Sequence, residues 1–548
     1  MTTARKRLLF GLAALAALVV VAGLLSLTWA YRLRPRAREK AIELLEERFD
    51  EVRLESLSLQ VQPGFLLFPR VTATGKGLSL GLPNRAEDGV PPFIAMGAIE
   101  AEVELFGLFR DPIRIRSLRL DRLAIQIPPK RESSEGESKK ELPPPIVVED
   151  LVADGAVLRI LPRDPAKEPL QFDLHELSVK SAGLGEPMRF EAILENPKPP
   201  GQIRTKGEFG PLSLYDAGAS PVSGNYVFAE ADLSVFKGIG GRLYSEGRFG
   251  GVLERIEVSG FTETPDFQLT SAGNPIELRT AFEALVDGTN GDTLLRPVDA
   301  VLAGSSGSTA KGGVAKQPGT AGKTVCLDAE GSRGRIEDFL RLAMSSEPPF
   351  MTGEVRFRTL ILIPPGELDV VEKLLLDGEF WIDSALFPRR EIQERIDKLS
   401  QTASGVSVLG EERVASAMRA SFRLEGGVMY ISYISFRVPG ADVRLKGSYG
   451  LVSEKIDFRG ELFMDAKVSE TTTGLKSFFL KLVDPLFEKR GAGAVIPIRI
   501  GGTADAPSFG LDVGRVFSRE EVARLPKAGG EWSKTIPTCS GMRDADSD

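Results

Sequence analysis

The sequence predicts a mainly β protein: an elongated, curved, repeat-like antiparallel β-sheet that is groove-like, with a few short amphipathic helices, preceded by one N-terminal transmembrane helix. Three observations predict it. Residues 8–31 form one uncharged run, apolar residues beyond residue 52 recur at every second position, and 57 Gly with 36 Pro supply turns. At 548 residues the chain exceeds a single hydrophobic core, so several domains or a repeat-built body are expected.

The run Leu8 to Tyr31, LLFGLAALAALVVVAGLLSLTWAY, follows a basic tail (residues 1–7) with Arg5, Lys6 and Arg7. About 20 apolar helical residues cross a bilayer core. Leu8, Leu9, Phe10, Leu18, Val19, Val20, Leu24, Leu25, Trp29 and Tyr31 are therefore expected as the membrane anchor. The run exceeds the roughly 7 to 15 residues of a signal-peptide core, and Thr28-Trp29-Ala30 is a poor cleavage site, which favours a retained anchor. Charge alone does not orient it. Arg32, Arg34, Arg36, Arg38 and Lys40 outnumber the cations of the tail, whereas long domains are translocated largely regardless of charge.

Residues 32–129 read as an N-terminal β region with a leading amphipathic helix, because Ala41, Ile42, Leu45 and Phe49 fall at helical spacing after Pro35. Val52 and Leu54, then Leu57, Leu59 and Val61, then Ile99, Ala101, Val103 and Leu105 alternate as strands with one apolar face. In IRIRSLRLDRLAIQI, Ile113 and Ile115, then Leu118 and Leu120, then Leu123, Ile125 and Ile127 keep the alternation with two phase slips, which suit bulges or edge turns in a long curved sheet. Residues 130–145, KRESSEGESKKELPPP, have no apolar periodicity and read as a flexible loop.

A central β region is expected over 146–330, where AGSSGSTAKGG from Ala303 reads as hairpin turns. Residues 331–405 contain helical patterns: GRIEDFLRLAM from Gly334, ELDVVEKLLL from Glu367 and EIQERIDKLSQ from Glu391. A C-terminal β region (406–517) and a polar tail (518–548) follow. Within the former, GLKSFFLKLVDPLFEKR from Gly474 sets Leu475, Phe478, Phe479, Leu482 and Leu486 at helical spacing among lysines. That pattern fits either a membrane-surface helix or a helix plugging the end of the sheet. Gly207, Gly247, Gly378 and Gly447 each stand two residues before an aromatic, so the strand can bend while the ring crosses the apolar face.

A net charge of -7 and a pI near 5.4 oppose nucleic acid as a partner. Cys326 and Cys539 allow at most one intrachain disulfide and no cysteine-based metal cluster. The only histidine, His175, lies in the strand-like QFDLHELSVK, so histidine-dependent triads and multi-histidine metal sites cannot form within the chain. Carboxylates are abundant, yet no spacing singles out a catalytic pair. The stretch Gln317 to Thr324, QPGTAGKT, imitates a phosphate loop but has Gln where that loop needs Gly, and strand-like VCLDAEG follows; it reads as a hairpin turn. No catalytic residue, metal site or cofactor is expected.

Three stretches carry a family resemblance. They are PIRIRSLRLDRLAIQIPP with IVVEDLVADGAVLRILPRDPAKEPLQFDLHELSV, including an Asp154-Gly155 turn; SGNYVFAEADLSVFKGIGGRLYSEGRFGGVLERIEVSGFTETPDF with VDGTNGDTLLRPVDAVL; and ASFRLEGGVMYISYISFRVPGADVRLKGSYGLVSEKIDFRGELFM with VIPIRIGGTADAPSFGLDV. Together they resemble the AsmA-like family, Gram-negative envelope proteins with one inner-membrane helix and a β-rich periplasmic body. The resemblance implies a single-pass inner-membrane protein with its body in the periplasm. It also implies an apolar β-groove that handles or transfers phospholipid and supports outer-membrane biogenesis.

On alternation, Ile113, Ile115, Leu118, Leu120, Val443, Leu445 and Tyr449 are the expected groove lining, with Arg444 and Lys446 facing water. Membrane lipids, envelope proteins or a second copy are the expected partners. The alternatives are a periplasmic scaffold for outer-membrane assembly that carries no lipid and, third, an enzyme acting on envelope glycans.

Overall fold

The structure, a computed structural model, describes residues 37–46, 49–62, 70–81, 91–104, 113–127, 146–161, 170–183, 187–212, 217–317, 320, 322–345, 347–390, 393–394, 416–438, 441–464 and 495–512. The expected anchor, the 130–145 loop and the helix from Gly474 lie outside them. Among the described residues the chain is mainly β, with few helices and one mixed sheet of 25 strands. No described helix is long and apolar enough to cross a membrane. The chain divides into two compact units: Met1–Ala231, Glu246–Ser259 and Leu285–Gly291 form the first, and Asp232–Ser245, Gly260–Ala284 and Asp292–Asp548 the second.

The first unit opens with α1 (Ala37–Glu46), where the spacing predicts it, and Leu45 packs on a cluster of Phe49, Leu80 and Phe93. Strands β1 (Asp50–Gln62), β2 (Arg70–Gly81) and β3 (Ile94–Glu104) pair antiparallel. Strands β4 (Ile113–Asp121) and β5 (Ala124–Ile127) both pair antiparallel with β3 on one side and parallel with β6 (Ile146–Ile160) on the other. The expected all-antiparallel sheet is therefore mixed. A parallel pair needs a long crossover, and the connection from Ile127 to Ile146 supplies one. Antiparallel order resumes through β7 (Leu170–Gly183), β8 (Met188–Pro197), β9 (Pro200–Phe209) and β10 (Pro221–Asp232).

Two sequence expectations change here. The slip at Ser117 is no bulge, because β4 keeps one register with β6 from Ile113 to Asp121, straight through it. Alternation then puts Ile115 on the opposite face from Leu118 and Leu120, and only the latter two join the apolar cluster of Leu123, Ala153, Ala156, Leu174 and Ala192. The side chain of Ile113 lies outside the described ones. The second slip is a real break, with Arg122 at φ 54° between β4 and β5. Beside it Gly155 takes φ 66°, so Asp154-Gly155 is a kink within the continuous strand β6, matched to its neighbour's break, and not a chain reversal.

After β11 (Ile239–Gly240), β12 (Arg242–Val252), β13 (Arg255–Leu269) and β14 (Ile276–Val286), the second unit runs as an antiparallel meander. Its strands are β15 (Thr293–Leu302), β16 (Ser306–Lys316), β17 (Lys323–Arg335), β18 (Glu354–Ile363), β19 (Leu375–Ala385), β20 (Ser416–Glu425), β21 (Val428–Val438), β22 (Ala441–Gly450), β23 (Lys455–Met464), β24 (Val495–Thr503) and β25 (Pro507–Leu511). The phosphate-loop imitation is the β16–β17 connection, with Lys316 paired to Lys323.

The Gly/Ser-rich stretch from Ala303 turns only before Ser306 and is otherwise strand β16. There Gly312 is required because a Cβ would come within 2.0 Å of the Cys326 carbonyl oxygen. The pattern from Gly334 forms α2 (Ile336–Ala343), but the one from Glu367 is helical only over α3 (Val370–Lys373). Its Leu374–Leu376 fit both periods, and burial of Leu374 and Leu376 beneath α3 decides for the strand. Asp338 pins α2 to the β15–β16 turn by accepting hydrogen bonds from the hydroxyls of Ser305 (3.0 Å) and Ser306 (2.5 Å).

Candidate functional site

The candidate site is the apolar face of β17–β25 in the second unit. Register aligns its side chains in rungs across the strands. The first rung carries Val355, Ile382, Met418, Phe436, Val443 and Leu462; the second Phe357, Phe380, Ala420, Ile434, Leu445 and Ile498. The third carries Thr359, Phe422, Ile431, Phe458, Ile500 and Phe509; the fourth Ile361, Leu376, Leu424, Met429, Tyr449 and Ile456.

Both ends are capped. Ile336 of α2, Met351 and Phe387 close the first rung into a core with Val355, Ile382 and Val443, each 1% exposed. Val371 of α3, with Leu374, Leu451 and Ala272, closes the fourth rung around Leu424. In the third rung Thr359 and Ile431 are buried, Phe422, Phe458 and Ile500 are half-buried, with Phe458 and Ile500 packed against the core under α2, and Phe509 on β25 is 39% exposed. In that rung Gly447 on β22 lets the backbone of β23 approach closely, since a Cβ there would lie 2.1 Å from the Asp457 carbonyl oxygen and 2.8 Å from Cδ1 of Phe458.

Two hydroxyls stand among these rungs, those of Thr359 and Tyr449, and the Thr359 hydroxyl donates to the Asp377 carbonyl oxygen (3.3 Å). The Tyr449 hydroxyl oxygen is buried with no hydrogen-bond partner among the described residues. Burial, and after it the charges of Glu454 and Asp505, push the phenol well above its ordinary pKa. It therefore remains a neutral donor at any physiological pH. A buried donor without an acceptor is costly, so an acceptor supplied by a ligand would be bound favourably.

The opposite face is charged and internally neutralised. Arg356 pairs with Asp383 (3.1 Å), Arg358 with Glu330 (3.4 Å) and Arg419 with Glu379 (3.2 Å). A shallow depression there is lined by Trp381, Arg419, Tyr433, Arg437, Asp442 and Arg444, with the Arg419 guanidinium 5.5 Å above the Trp381 ring. Arg437 hydrogen-bonds Asp442 at 2.6 Å and holds its carboxyl below the ordinary value. Cations matched by carboxylates leave little attraction for an anion.

The expected site residues are placed unevenly. The anchor residues Leu8 to Tyr31, and Leu475, Phe478, Phe479, Leu482 and Leu486, lie outside the described residues. Val443 and Leu445 do point to the apolar face, with Arg444 and Lys446 exposed opposite them. At 1% and 7% exposure, however, those two are sealed in the core under α2, so as lining they are replaced by Phe422, Phe458 and Ile500 of the next rung. Tyr449 stays at the edge of the α3 cap. The signal for Phe458 was present in KIDFRGELFM, where Ile456 and Phe458 alternate with Asp457 and Arg459. What the sequence does not carry is the position of the caps. His175 is an exposed residue of β7, its Nε2 3.5 Å from Oε2 of Glu195. Comparison with protein-family models, with curated proteins and with solved structures found no match for this chain.

Proposed function

We propose that the chain is an inner-membrane-anchored envelope protein whose apolar β-face forms a groove that handles or transfers phospholipid in support of outer-membrane biogenesis, its body lying in the periplasm. The observation that carries this reading is the third rung, where Phe422, Phe458 and Ile500 are half-buried and Phe509 is exposed, with the unpartnered Tyr449 hydroxyl on the same face. Acyl chains match the row, and an ester carbonyl is the acceptor the phenol lacks. The uncharged run from Leu8 to Tyr31 and the resemblance to the AsmA-like family support the location.

The test is a photo-crosslinking residue at 458 compared with one at 459, which alternation turns to the charged face. Capture of phospholipid in cells at 458 alone is expected; equal capture at both, or none with the protein folded, counts against the groove.

The sealed burial of Val443 and Leu445 favours the second reading, a scaffold that carries no lipid. Tyr449→Phe separates the two readings. Both expect unchanged or slightly raised thermal stability, because a buried hydroxyl with no partner is removed. Only the lipid reading expects weaker lipid retention.

A further inference from the structure

We propose that the depression on the outer face of β19–β22 binds a neutral glycan chain, a sugar ring lying against Trp381 and Tyr433 while its hydroxyls bond to Asp442 and Arg444. The depression holds about 350 Å³, at the lower end of the roughly 300–1,000 Å³ usual for small-molecule sites. Register explains its shape. One outward row runs Trp381, Arg419, Ser435 and Arg444, and the next Ala417, Arg437 and Asp442. The small side chains of Ser435 and Ala417 keep the floor low between taller neighbours.

A bulge in β21 aims the second ring. Ile431 pairs with Phe422 and Tyr433 with Ser421, and on the other side Ile431 pairs with Gly447 and Ile434 with Leu445, so β21 carries one residue more than either neighbour here. Unbroken alternation from inward-facing Ile431 would turn Tyr433 inward and Ile434 outward. The extra residue reverses both: Ile434 and Phe436 pack on the core under α2, and Tyr433 lines the depression with Trp381. Bulges re-aim side chains in this way beside binding and active sites. Moving an aromatic out of the core forgoes its burial, and the apolar C–H face of a sugar ring restores it.

The polar groups suit hydroxyls better than ions. Arg437 holds Asp442 through two hydrogen bonds, Nε to Oδ1 at 2.6 Å and Nη2 to Oδ2 at 3.0 Å, which keep the carboxyl ionised and fixed. Arg356 likewise donates to Asp383 at the rim, and Arg419 to Glu379. A carboxylate has more lone pairs, and a guanidinium more N–H groups, than one such pairing uses, so donors and acceptors stand side by side in fixed planes. Arg444 stacks on Phe463, 4.7 Å from the ring centre, and has no carboxylate within salt-bridge distance among the described residues. Vicinal sugar hydroxyls, each both donor and acceptor, match this mixture, whereas a polyanion meets Asp383 and Asp442. The depression lies opposite the apolar rungs, so the inference does not rest on the lipid reading.

The test uses the full chain in a detergent without a sugar headgroup, applied to an array of neutral hexose and N-acetylhexosamine oligomers beside uronate and sulfated ones. Binding of a neutral oligomer, insensitive to added salt, is expected, and its Kd is then measured by calorimetry. Trp381→Ala and Asp442→Asn are each expected to weaken it by about tenfold or more, the loss of one central contact, while Arg358→Ala, on the same face outside the depression, leaves it unchanged. Trp381 is half-buried, and if its variant fails to fold, Tyr433→Ala is measured in its place. No neutral oligomer bound by the folded chain, tightest binding to the acidic oligomers with loss on adding salt, or an unchanged Kd in the folded variants overturns the proposal.

Discussion

Ile382→Ala is expected to destabilise the second unit by about 2–5 kcal/mol, the usual range for emptying a buried aliphatic site. Ile382 is 1% exposed, and its cluster holds Ile336 of α2, Met351, Phe387, Met418 and Val443, so the cavity opens where the cap meets the sheet. The surroundings are strand backbone on one side and a short helix on the other, which restricts collapse around the void. Urea denaturation followed through the second unit measures it as a lower midpoint at an unchanged slope. Phe422→Ala, one rung beyond the cap, removes a larger side chain but should cost less, because that ring is already half in contact with something other than packed protein. Equal losses at both positions would mean that the third rung is as closed as the first.

The second large effect concerns binding. Phe458→Asp with Ile500→Asp places two carboxylates on neighbouring strands in the middle of the third rung. Each lost apolar contact is worth about 1.5–3 kcal/mol if fully buried by ligand, and about 1.4 kcal/mol is tenfold in affinity, so retention of phospholipid should fall by at least about tenfold. Both positions are half-buried and pack against the core under α2, so the double variant is also expected to lose stability, and retention is measured on protein shown to be folded. Quantifying phospholipid per mole of purified folded variant checks this. Unchanged retention would remove the third rung from any binding surface.

Much of the β architecture was legible because a strand announces itself twice, by alternation and by its turns. ADVRLKGSYG gives the buried and exposed positions of β22 directly, since Val443 and Leu445 have no other apolar face to occupy. The parallel pairing of β6 was not legible: strand periodicity is blind to the direction of the neighbour, and only the length of the connection after Ile127 hints at it. The slips in IRIRSLRLDRLAIQI look alike in sequence, yet only the one at Arg122 breaks the backbone; Ser117 merely changes which face is apolar. The site fared similarly. Its face was readable, but which of its side chains stay half-buried depends on where α2 and α3 settle, and the resulting clusters gather residues far apart in the chain, Ile336 and Leu462 among them.

Whether this face holds lipid is read out by native mass spectrometry of the full chain released from gentle detergent. Adducts with phospholipid masses are expected on the wild-type chain and are expected to be depleted in the Phe458→Asp, Ile500→Asp variant. A wild-type spectrum free of lipid adducts, or adducts of equal abundance in the folded variant, would contradict lipid binding there.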